Sequence, residues 1–132
     1  MSDLPEYYFR IRENGAAAFR VDSNNSHHRI EMEQIAVINT NRGDYKGHGD
    51  ITLSPSDVAA IEGWLSARMD VLQQRTLDDI HRAIDHLNLT AQWAQSKATD
   101  AELEDITDPL LLAMHDLRSV LVRKKAERLT KG

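Results

Sequence analysis

The sequence predicts an α+β fold, with a small N-terminal antiparallel β-meander of three to four strands followed by three α-helices that form a helical layer or bundle. Three observations carry this reading. Short runs of aromatic and β-branched residues, separated by turn formers, occupy the first fifty positions. From Ser54-Pro55 onward, apolar residues recur at helical spacing almost to the end. A chain of 132 residues, 41% apolar and 28% charged, is about the size of one domain with its own core. A single domain over residues 1–132 is expected, with the meander in 1–50 and the helical part in 51–132.

Residues 7–12 and 17–21 read as strands flanking Asn14-Gly15, a dipeptide that accepts positive φ at both central positions of a tight hairpin turn. After the polar loop Asp22 to His28, a third strand spans Ile30 to Thr40. Its alternation slips, because Ile30 and Met32 share one parity while Ile35 and Val37 share the other. A bulge near Gln34 accounts for the slip. Asn41-Arg42-Gly43-Asp44 is a turn, and Tyr45 to Gly47 returns as a short edge strand.

Helices are predicted at about 55–74, 77–97 and 109–129. Ser54 caps the first, with Pro55 at its first position and Asp57 placed to return the capping interaction. Thr76 and Asp79 repeat that pattern after the polar run Gln73-Gln74-Arg75, and the apolar phase shifts there. Two helices follow from this, with one long bent helix as the alternative. Asp108-Pro109 opens the third, and the acidic stretch Asp100 to Thr107 is its connector.

The helices carry more apolar surface than one core needs. Leu77, Ile80, Ile84, Leu87 and Ala91 share a face, while Leu89 and Trp93 fall nearly opposite. Leu111, Val122 and Leu129 form a second stripe beside the one built on Leu117, and Trp64 widens the arc of the first helix. Either the meander and neighbouring helices cover both sides, or the surplus is a subunit interface. The candidate contact residues are therefore Trp64, Leu89, Trp93, Leu111, Val122 and Leu129. The expected role is a non-enzymatic protein–protein interaction or regulatory module, homodimeric through its helices, with a further protein partner as an option.

Charge is unevenly distributed within the net −5. Residues 51–117 hold 4 basic and 12 acidic side chains, whereas 118–132 hold 6 and 1. The alternative function is a nucleic-acid-binding regulator, in which Arg10, Arg12 and Arg20 on the sheet join Arg123, Lys124 and Lys125 to face phosphates. Acidic residues interleave those arginines, and cations also complement a helix C-terminus, so nucleic acid is not the expected partner.

A third reading, a small metal-dependent enzyme, draws on two histidine groups. Asp78, His81 and Asp85 recur at i, i+3 and i+7, but their face lies far from the apolar stripe, whereas bundle metal sites project inward. His27, His28 and His48, with Asp22, Asp44 and Asp50, have suitable ligand chemistry without diagnostic spacing. No nucleophile elbow or phosphate-cradling glycine loop occurs. The expectation is no catalytic site, no metal and no cofactor. Zero cysteines exclude disulfides and thiolate chemistry. With neither a leader pattern nor an apolar span, the cytoplasm is the expected compartment and no membrane is involved. Arg42-Gly43-Asp44 then reads as turn chemistry, the sequons at Asn24 and Asn88 carry no meaning, and Ala59, Gly63 and Ala67 form a small-residue stripe.

Overall fold

Residues 4–22 and 29–131 are described by the computed structural model. They form β1 (Tyr7–Arg12), β2 (Gly15–Asp22), β3 (Glu31–Asn39), β4 (Asp44–Gly47), α1 (Pro55–Ser96) and α2 (Asp100–Lys131). The strands make one antiparallel sheet in the order β1-β2-β3-β4, the meander that the alternating runs predict. The helical part departs from expectation, because two helices stand where three are predicted.

Both corrections to the helices have local causes. Gln73, Gln74 and Arg75 are good helix formers, so nothing breaks the backbone before Thr76. Its hydroxyl donates to the Leu72 carbonyl one turn back, as a mid-helix threonine does, instead of capping a new helix. At the other site, Asp100 to Thr107 is helix and not connector. The start is set by a capping box at Thr99 and Glu102: the Glu102 N–H donates to Thr99 Oγ1 at 3.2 Å, and the Thr99 N–H donates to Glu102 Oε1 at 2.9 Å. Pro109 therefore lies inside α2.

The chain divides into two compact units, Met1–Asp79 and Ile80–Gly132, with the boundary inside α1. In the first unit, one face of the sheet packs on the opening turns of α1. Ala16, Ala18, Ile35, Ala36 and Ile38 meet Ile61 and Leu65, all buried. The slip in β3 is a bulge: Ala18 pairs with Ala36 but Phe19 pairs with Gln34, leaving Ile35 as the extra residue. That residue is not lost to the sheet, since its side chain is fully buried and its carbonyl accepts the His48 N–H at 2.8 Å. Burying both Ile35 and Ala36 turns the register shift into added core.

The first hairpin differs in detail from its prediction. Arg12 pairs with Gly15, so the two turn residues are Glu13 and Asn14, and Gly15 opens β2. Glycine is required there by close approach, because a Cβ would stand 1.9 Å from the Ile38 carbonyl oxygen. Asn14 also holds the β3–β4 turn, its carbonyl accepting the Thr40 N–H at 3.0 Å. In that turn Gly43 adopts φ +76°, and Arg42 pairs with Asp44 at 3.1 Å. Arg42-Gly43-Asp44 is thus turn chemistry.

The second unit is a helical hairpin, the last part of α1 and all of α2 joined by a short turn after Ser96. Leu87, Ala91 and Ala94 face Leu103, Leu110 and Met114 across a groove of about 200 Å³. None of its described residues is buried. Among the described residues, no helix is long and apolar enough to cross a membrane.

Candidate functional site

Two places gather enough chemistry to be considered, a polar cluster where α1 begins and the apolar surface of the hairpin. The polar cluster is built on Asp57, which is only 1% exposed. Ser54 caps α1 through the Asp57 N–H at 3.1 Å, and the Asp57 carboxylate accepts the Ser54 N–H at 3.0 Å, as the sequence pattern predicts. The sheet completes the shell: Tyr7 Oη donates at 2.7 Å and Arg20 Nη2 at 2.6 Å. Arg20 also pairs with Glu33 at 2.9 Å.

Burial alone would push the Asp57 carboxyl up. The hydrogen bonds from Tyr7, the Ser54 backbone and Arg20 outweigh it and hold the group at about 2. A carboxylate that far down is a poor general base near neutrality. Every buried side-chain polar atom has a hydrogen-bond partner among the described residues. The cluster's work is to pin the sheet to the start of α1.

The helical hairpin is the opposite case, apolar and largely uncovered. On α2, Leu111, Leu117, Leu121 and Leu129 are exposed, Leu129 to 73%. On α1, Leu89 is 62% exposed, and Trp93 is half-buried beside it in a shallow hollow completed by Gln92, Ser96 and Lys97. Of the six candidate contact residues, the structure brings Leu89 and Trp93 together on one helix and sets Leu111, Val122 and Leu129 along the other. Trp64 is elsewhere. It stacks on Phe9 with ring centroids 4.9 Å apart and planes 5° from parallel, which makes it part of the first unit's packing.

One surface escapes sequence reasoning. Leu117 and Leu121, which share helical spacing with Leu110 and Met114, both remain exposed. Periodicity identifies an apolar face and is silent on whether the same chain covers it.

The sheet arginines are largely committed to the fold. Arg20 is held by Asp57 and Glu33, and Arg10 lies over the Phe19 ring at 4.5 Å. Arg12 shares an open hollow at the sheet end with Glu13, Arg42, Asp44 and Lys46. On α2, Arg123 and Lys124 both reach Glu127, at 3.9 and 3.5 Å, and Lys125 is exposed beside them. Among the described residues, no three histidine, aspartate or glutamate side chains are grouped to hold a metal. Asp78, His81 and Asp85 are each exposed, and His48 is exposed on its loop. His27, His28 and the Asn24 sequon lie outside the described residues. No family model, curated protein or solved structure matches the chain.

Proposed function

We propose that this protein is a non-enzymatic interaction module that self-associates through its helices. The observation that carries the reading is that α2, 32 residues and about 48 Å long, has no buried residue. Most helical stability in proteins comes from packing an apolar face, because nucleation and backbone ordering oppose an isolated helix. A helix that presents Leu111, Leu112, Leu117, Val120, Leu121 and Leu129 to solvent leaves that stabilisation unused. A second copy supplies it at equal stoichiometry, and closed two-fold pairing is the commonest way for identical helices to bury such a surface. The polar cluster at Asp57 supports the non-enzymatic half, since its carboxylate is committed to Tyr7, Arg20 and the Ser54 backbone.

Light scattering coupled to size exclusion tests the reading. At tens of micromolar the protein should elute with twice the 15.0 kDa chain mass. A monomer at that concentration, where even a modest specific interface is populated, would sink it.

A further inference from the structure

The two halves of α2 are oppositely charged, and this sets the direction in which two copies pair. Residues 100–117 hold six acidic side chains and no basic one, whereas 118–131 hold six basic and one acidic. At 100° per residue, Leu111, Val122 and Leu129 fall within about 20° of one another, and all three are exposed. Glu104 lies in the same narrow arc at the acidic end. Arg118 borders it near the middle of the helix and Lys125 toward the basic end. An apolar seam thus runs from a carboxylate at its acidic end into a half bordered by cations.

We infer that two α2 helices pair antiparallel along this seam, about a two-fold axis between residues 116 and 117. The inference rests on the self-association proposed above and fixes its geometry. A parallel pair would set six carboxylates against six carboxylates, and the basic ends against each other. The antiparallel pair sets each acidic half on a basic half twice over, and opposite charges on facing helices choose orientation in this way. With the axis at that position, Leu111 lies against the partner's Val122, and the partner's Lys125 lies level with Asp108 and one turn from Glu104. Because both ends of the seam are exposed, the attraction should weaken as salt is raised.

Charge exchange and distance measurement test the inference together. One variant carries Glu104→Lys and Asp108→Lys, the other Arg118→Glu and Lys125→Glu, and circular dichroism checks that each keeps its helix. Each variant alone should self-associate at least about tenfold more weakly than the native chain, because like charges now meet at both ends. Mixed, they should form a heterodimer in preference to either homodimer, since both ends are complementary again. The absence of cysteine lets single spin labels be placed cleanly at Ser119→Cys or Ala126→Cys. At 1.5 Å per residue, the two labels at 126 should sit about 20 Å farther apart along the axis than those at 119. Similar distances at both positions, or a mixture with no heterodimer preference, would overturn antiparallel pairing and leave self-association standing. Labelled variants that show no intermolecular distance, together with a native chain that elutes as a monomer, would overturn both.

Discussion

Asp57→Asn removes a charge and almost no volume, which makes it the sharpest probe of what fastens the sheet to α1. The native carboxylate takes hydrogen bonds from Tyr7, Arg20 and the Ser54 backbone, and its pKa falls from 3.8 to about 2. A drop of that size corresponds to about 2 kcal/mol of folding free energy, because each pKa unit is about 1.4 kcal/mol. The folded carboxyl is the stronger acid, so between pH 4 and pH 2 the unfolded chain binds more protons. The contribution is therefore complete above the unfolded value and disappears as pH falls through the folded one.

The amide also turns donor hydrogens toward Arg20 or Tyr7, so Asp57→Asn should cost about 2 to 3 kcal/mol at pH 7. The assay is urea unfolding followed by Trp64 fluorescence in a Trp93→Phe background, at one protein concentration, from pH 7 down to pH 2.5. Other carboxylates titrate in both proteins and cancel in the difference. The gap between native chain and variant should narrow by more than half at the acid end. A gap that stays constant with pH, or a variant as stable as the native chain at pH 7, would refute the claim that the ionised carboxylate fastens the two elements.

Two further predictions address the sheet and the hairpin. Gly15→Ala places a methyl group 1.9 Å from a backbone oxygen that belongs to the paired strand. The clash cannot be relieved by a side-chain rotation, so the melting temperature should fall by an amount equivalent to about 3 kcal/mol or more; a variant within 1 kcal/mol of native would show that β2 and β3 do not approach so closely. Trp93→Ala removes a half-buried ring beside Leu89. If that ring is part of the subunit contact, the variant should dissociate at concentrations where the native chain stays associated, and its stability should become more concentration-dependent; unchanged mass and melting temperature would remove Trp93 from the contact.

The elements whose signals are local were legible from the residues alone. The meander followed from alternating runs, the bulge from the parity slip around Gln34, and the start of α1 from Ser54-Pro55 with Asp57. Where local signals competed, the wrong one was easily preferred. Thr76 has a capping residue's chemistry but sits among helix formers, and a start read at Asp108-Pro109 misses the capping box at Thr99 and Glu102. Proline at an early helix position is a familiar start signal, and its presence in the third turn of α2 hid the true beginning.

Composition and periodicity determined that this chain has strands, then helices, and more apolar helix surface than a small sheet can cover. They could not assign that surface to owners. Trp64 and Trp93 look alike in sequence, each set off from its helix's main stripe, yet one is stacked on Phe9 while the other lies in an open hollow. Likewise, Asp57 could be read as a helix cap, but Tyr7 and Arg20 reach it from strands about 50 and 37 positions away. Hydrophobic spacing depends on a few neighbouring residues, so the sequence determines it. Which distant group fills each face or satisfies each charge depends on how the strands and helices are brought together, and only the tertiary structure decides that.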